Sequence, residues 1–204
     1  MQAIRAALVF SALAAGGDWT SLFDGKSIEG WRETPFTGRG KVTVENGSLV
    51  LGAGGPMTGI TWTRDIPKSN YEIRFEGQRL RGGDFFASLT FPVGDSYCTL
   101  VTGGWGGDIV GLSSIDGWDA SDNETRTYFN FDTGRWYAFR LRVTDVRITA
   151  WIDDRQVINV EIAGRTIGLR PGPTKLCIPL GFMSYNTAGA VRKIEYRRLS
   201  GGAA

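Results

Sequence analysis

Apolar and polar residues alternate with a period of two along much of this chain. Tyr71-Glu72-Ile73-Arg74-Phe75-Glu76 is one such run. Tyr137, Phe139, Leu141 and Val143 alternate with Ala138, Arg140 and Arg142, and Ile148, Ala150 and Ile152 alternate with Thr149, Trp151 and Asp153. Successive side chains of a β-strand point to opposite faces, so each run reads as a strand with one dry and one wet side. Asn46-Gly47 sits between two such segments, Val42–Glu45 and Ser48–Leu51, and both turn residues tolerate positive φ, which marks a tight hairpin. Val93-Gly94-Asp95 and Asp153-Asp154-Arg155 read as further hairpin tips. No segment after residue 18 carries a helical period of useful length. Glycine is abundant, at 29 of 204 residues, and 7 Trp, 6 Tyr and 11 Phe supply large side chains for a core. That combination marks a turn-rich all-β protein rather than a disordered one. More than ten short strands with no linker between them predict a single antiparallel sandwich of two sheets over residues 19–200.

Residues 1–15 have a basic residue, Arg5, then an apolar run, Ala6–Leu13, then small residues. This is the layout of a secretory signal, and it predicts export to the periplasm or beyond; the other reading is a frayed N-terminal helix on a cytosolic protein. The run is too short to span a bilayer, so no membrane insertion is expected. Cys98 and Cys177 are the two cysteines. In an exported chain they invite a disulfide, whereas their apolar, strand-like surroundings suit buried thiols.

A formal charge of +2, with 23 basic residues balanced by 21 acidic ones, carries no polyanion-binding signature, and nucleic acid is not an expected partner. There is no histidine. This excludes Ser–His triads, histidine general bases and the common histidine-containing metal sites. Catalysis would have to use carboxylates, Tyr, Lys, Cys, backbone dipoles or an oxygen-ligated metal.

Ser21-Leu22-Phe23-Asp24-Gly25-Lys26-Ser27-Ile28-Glu29-Gly30-Trp31 resembles the opening signature of the 3-keto-disaccharide hydrolase domain family. Val44–Leu49, Tyr71–Phe75, Arg135-Trp136-Tyr137 and Trp151–Asp154 follow in the family's order, and the similarity runs from Ser21 to Leu199. The resemblance implies a concanavalin A-like jelly roll with a sugar-binding face, in a protein exported by a bacterium, with a carbohydrate as ligand. Two positions depart from the family pattern. Asp84 in Gly83-Asp84-Phe85-Phe86 stands where an Asn is usual, and Cys98 in Tyr97-Cys98 stands where a Glu is usual.

The implied reaction needs one general base and one electrophile at the C3 oxygen of a keto sugar, so it does not require histidine. A retaining glycosidase needs two carboxylates across the bond, and the Glu-x-Asp-x-x-Glu strand motif of laminarinase-type enzymes is missing. Asp84 and Asp116 are the candidate catalytic carboxylates, although Asp84 also reads as the end of a Gly-Gly-Asp turn. Trp105, set among four glycines in Gly103–Gly107, is the candidate sugar platform; the alternative is a tryptophan packed on the core between bulges. Asn123, Trp151 and Thr90 complete the candidate substrate contacts, with Trp151 facing either solvent or the groove. The acidic run Asp116–Glu124 reads as a solvated loop with Asx turns or as a site for Ca²⁺ or another oxygen-ligated divalent metal, with Asp119 and Asp122 as further ligands. The base could be absent altogether: a non-catalytic carbohydrate-binding module needs only aromatics and hydrogen bonds, and Cys98 in place of Glu favours it.

Overall fold

A computed structural model describes residues 17–200; the expected signal segment lies outside them. Fifteen strands account for nearly all of the regular structure. The first five are β1 (Thr20–Ser21), β2 (Trp31–Glu33), β3 (Val42–Glu45), β4 (Ser48–Leu51) and β5 (Met57–Trp62). β6 (Tyr71–Arg81), β7 (Ser88–Val93), β8 (Ser96–Gly104), β9 (Ile109–Ser113) and β10 (Thr127–Tyr128) follow. The last are β11 (Trp136–Val143), β12 (Arg147–Ile152), β13 (Arg155–Glu161), β14 (Gly181–Tyr185) and β15 (Ala188–Arg198). The only helical element among the described residues is a five-residue 3-10 turn, Pro173–Cys177.

These strands form two antiparallel sheets. One runs β13-β12-β11-β6-β15-β4-β3 with β1 alongside β15, and the other runs β10-β9-β8-β7-β14-β5-β2. The architecture is a two-sheet antiparallel jelly-roll sandwich. The hairpins form where the turn residues demand them. Asn46 and Gly47 both adopt positive φ, at 49° and 74°, between β3 and β4. Gly94 and Asp153 do the same at the tips of β7–β8 and β12–β13.

The alternation sets which side chains enter the core. Tyr71, Ile73 and Phe75 of β6 and Tyr137, Phe139 and Leu141 of β11 face inward, while Glu72, Arg74, Arg140 and Arg142 face out. Across the sandwich, Phe75 meets Phe182 of β14 edge-on at 4.8 Å and stacks on Phe139 at 4.9 Å. The Tyr71 hydroxyl donates to the Pro92 carbonyl at 2.6 Å, tying β6 to β7 through the buried layer. Gly189 of β15 packs so closely on Phe86 that a Cβ would overlap the Phe86 carbonyl oxygen. Cys98 and Cys177 are free, buried thiols, and burial pushes both up to about 12.

Candidate functional site

Small polar residues point outward from the second sheet. Ser88 of β7, Thr99 and Val101 of β8, Ser113 of β9 and Met183 of β14 form the floor of a cleft of about 470 Å³. One wall comes from the end of that sheet, with Asp84, Phe85 and Tyr185. The other comes from the segment Arg170–Thr174, and Trp105 stands at the rim. Phe85 and Tyr185 pack together at 5.6 Å.

Trp105 occupies the tip of the β8–β9 hairpin. A bulge between Thr102 and Gly104 shifts the register there. The tryptophan holds a positive φ of 49° and is 41 % exposed, so it does not pack on the core. A bulky residue in the left-handed region is strained by about 1–3 kcal/mol, a cost that persists where the surroundings over-determine it. Here Gly103 and Gly107 let the Arg79 guanidinium pack beneath the turn. A Cβ at Gly103 would lie 2.6 Å from its Nη2, which donates to the Gly107 carbonyl at 2.6 Å.

Asp84 begins the wall as the Gly-Gly-Asp reading anticipates: its Oδ1 accepts the Phe85 amide at 2.8 Å, and its own amide donates to the Thr187 hydroxyl at 3.0 Å. Among the described residues no donor reaches Oδ2, which leaves one carboxylate oxygen for a ligand. The floor hydroxyls are oriented. Ser88 Oγ accepts the Thr102 amide at 3.1 Å and Ser113 Oγ accepts the Ala120 amide at 3.0 Å, so each hydroxyl proton is free to donate.

The acidic run does something other than gather around a cation. Asp116 takes the Arg165 guanidinium at 2.6 Å and the Thr166 amide at 2.7 Å; Glu124 takes the other side of Arg165 at 2.7 Å. The Thr166 amide first, and Arg165 with it, hold the Asp116 carboxyl below its ordinary value. Asp119 pairs with Arg170 at 3.0 Å, and Asp122 accepts from the neighbouring Ser121 hydroxyl. Among the described residues no group of three or more His, Cys, Asp or Glu side chains could hold a metal. The donor set does not converge as a Ca²⁺ site would require: Asp116, Glu124 and Asp119 are taken up by arginines and Asp122 by Ser121. Their effect is to anchor the segment that walls the cleft.

Of the residues singled out in the sequence, the structure thus brings Asp84 and Trp105 into one cleft, and leaves Asp116, Asp119 and Asp122 outside its lining. Asn123 is a structural bracket: its amide donates to the carbonyls of Leu112 and Trp118, and its Oδ1 accepts from Thr125. Thr90 faces the correct side of β7 but is wholly buried, sharing a hydrogen bond with Thr99 at 3.1 Å. Trp151 lies on the outer face of the other sheet, 3.9 Å from the Arg140 guanidinium, and so lines no part of the cleft. Cys98 points into the core, so a carboxylate at this register would not face the cleft and the change there weakens neither reading of function. Arg170, Tyr185 and the floor hydroxyls carried no local signal beyond ordinary strand and loop composition.

Two antiparallel sheets with a cleft on the outer face of one define a jelly-roll β-domain of the concanavalin A-like type. The solved structures it is similar to agree in fold. A Crh5 transglycosylase in complex with NAG matches with a TM-score of 0.59 at 13 % identity, over 94 % of this chain and 87 % of that one. The carbohydrate-binding module CBM66 from Bacillus subtilis matches at 0.54 and 13 %, over 82 % and 95 %. Domain 4 of AbnA, an extracellular arabinanase from Geobacillus stearothermophilus bound to arabinotriose, matches at 0.57 and 14 %, over 83 % and 82 %. No curated protein matches in sequence. The chain belongs to the 3-keto-alpha-glucoside-1,2-lyase-like domain family, whose sequence profile matches residues 18–178. No helix among the described residues is long and apolar enough to cross a membrane.

Proposed function

We propose that this domain is an exported bacterial hydrolase that cleaves 3-keto-glycosides by elimination followed by hydration. One observation supports this reading above others: Asp84 is the single carboxylate and Arg170 the single guanidinium among the residues lining the cleft. Two carboxylates would be needed for conventional glycoside hydrolysis. Elimination needs one base. The C3 ketone acidifies the C2 hydrogen. Asp84 Oδ2 removes that proton, and the C–H electrons form the enolate at C3. Arg170 and the floor hydroxyls stabilise the developing oxyanion. Collapse of the enolate expels the C1 substituent, which takes the proton that Asp84 removed and so returns Asp84 to its carboxylate form, leaving an enone with its double bond between C1 and C2. Water then adds at C1 and C2 is reprotonated, so the net change is hydrolysis. Trp105, 41 % exposed, offers ring surface to the sugar beside the Arg170 guanidinium, which lies 5.8 Å from its centroid.

A second reading rests on the aromatic strip of Trp105, Phe85 and Tyr185: a non-catalytic module that binds sugar unchanged. Incubation with a 3-keto-glucoside and the matching unoxidised glucoside separates the two. The enzyme reading expects aglycone release from the keto substrate alone, reduced by about 10²–10⁴-fold in Asp84→Asn. Tight binding without release by the intact protein would leave the module as the better account.

A further inference from the structure

The outer face of the first sheet, opposite the cleft, holds charge in two layers. Glu72, Glu76 and Glu195 lie low, with side chains 0, 22 and 27 % exposed. Six cations stand above or beside them: Arg74, Arg140, Arg142, Arg192, Lys193 and Arg197, exposed by 24 to 65 %. Solvent therefore meets an excess of positive charge. At the margins Arg147 pairs outward with Glu161 at 3.6 Å and Glu45 stands exposed on β3 near Arg192, which reduces the excess but leaves it positive.

The excess is greatest around Glu72. Its two oxygens hold Arg142 at 2.8 Å and Arg197 at 2.5 Å, with Arg140 only at 3.7 Å. Three guanidinium groups thus share one carboxylate. Two tryptophans order them. Arg140 lies 3.9 Å over Trp151, and Arg74 lies 4.1 Å over Trp19, which Arg197 also covers at 4.6 Å. A guanidinium stacked on a ring spends its face and keeps its N–H edge for a planar anion. Arg140 retains most of its five donors.

From this layering we propose that the outer face of the first sheet binds an acidic polysaccharide, through carboxylate or sulfate groups docking on Arg140, Arg142 and Arg74. Charge complementarity selects an anion, and the geometry selects among anions. Trp19, Trp151 and also Trp136, under Arg192 at 4.0 Å, each already stack against an arginine, which leaves nucleobases little ring surface to stack on. A sheet face suits an extended polymer with repeated charges. The proposal does not depend on the chemistry of the cleft, which lies on the other sheet.

Binding of polygalacturonate to the intact protein is the test, followed by calorimetry between 20 and 300 mM salt, with neutral dextran, a 20-base DNA and anionic phosphatidylserine vesicles as alternatives. The expected result is binding to polygalacturonate alone that weakens steadily with salt. Arg140→Gln should lower the salt slope by about one, and Arg74→Gln combined with it should cost at least tenfold in affinity. Trp105→Ala, on the other sheet, should bind polygalacturonate normally, which separates this surface from the cleft. Arg140 is the loosest of the three partners of Glu72, at 3.7 Å, so Arg140→Gln carries the test alone if the double variant fails to fold. Absence of binding, equal binding to neutral dextran, equal or tighter binding to DNA or vesicles, or an unchanged salt slope in Arg140→Gln would overturn the proposal.

Discussion

Replacing Arg79 with methionine tests whether the cleft rim depends on a buried cation. Arg79 is 6 % exposed and faces inward at the end of β6. Its Nη1 donates to the Phe131 carbonyl at 3.1 Å and its Nη2 to the Gly107 carbonyl at 2.6 Å, while Nε has no partner. Burial pulls its pKa down, and the Asp84 charge works against that pull. Methionine keeps the stem and removes the guanidinium. Two hydrogen bonds from a charged group are lost, each contributing about 1.5–3 kcal/mol; removing the orphaned Nε returns about 1–3 kcal/mol, for a net loss of about 2 kcal/mol. In urea, with m of about 2 kcal/mol/M, the midpoint falls by about 1 M. The loss should be local as well as global. Gly107 anchors the turn that presents Trp105, so amide exchange should quicken at Gly106–Asp108 more than in β6 or β11, and sugar affinity should fall with it. A variant as stable as the parent, with unchanged exchange in that turn, would show that the turn holds itself and that this reasoning is wrong.

Other perturbations test separate parts of the fold. Glu72 is wholly buried, and burial works to raise its pKa, but hydrogen bonds from Arg142 and Arg197 outweigh that and hold it below its ordinary value. Its stabilisation is therefore complete above the unfolded carboxylate value of about 4.3 and is lost as pH falls through the lower folded value. Glu72→Gln should cost about 2 kcal/mol at pH 7, below the usual range for a broken buried pair because its arginines reach solvent, and thermal unfolding between pH 7 and 3 should show a flatter acid limb; a limb identical to the parent's would refute the assignment. Gly189→Ala should destabilise the sandwich by about 2–4 kcal/mol or prevent folding, because its Cβ meets backbone that cannot give way; a stable, soluble variant would show that β15 can shift. Because Asp116, Asp119 and Glu124 are paired with arginines, neither EDTA nor added Ca²⁺ should move the melting temperature. A rise with Ca²⁺ would restore the acidic run as a metal site.

The contrast between Trp105 and Trp151 shows how far the sequence could be read. Glycines on both sides announced a special backbone at Trp105, and the structure uses it for an exposed hairpin tip. Alternation placed Trp151 opposite its core neighbours, which is correct, but it could not say which sheet β12 joins. The same limit applies to Cys98. Its departure from the family pattern looked like a missing catalytic group until the register of β8 turned it inward. The acidic run was legible as a cluster, but its partners, Arg165 and Arg170, lie about fifty residues further along. Ser88, Thr99, Ser113 and Tyr185 come from four strands and look ordinary one at a time.

Local order was therefore written in the sequence: strand after strand from the period of two, the β3–β4 hairpin from Asn46-Gly47, and the absence of long helices among the described residues, because each depends on neighbours a few residues apart. The Gly82-Gly83-Asp84 turn was also legible, since it is a local feature. What only the tertiary structure decided was convergence. The cleft, the clamp under Trp105 and the arginine layer around Glu72 all join residues far apart in the chain. Strand order and register determine which of them meet, and those are set by the packing of the whole core rather than by any one segment.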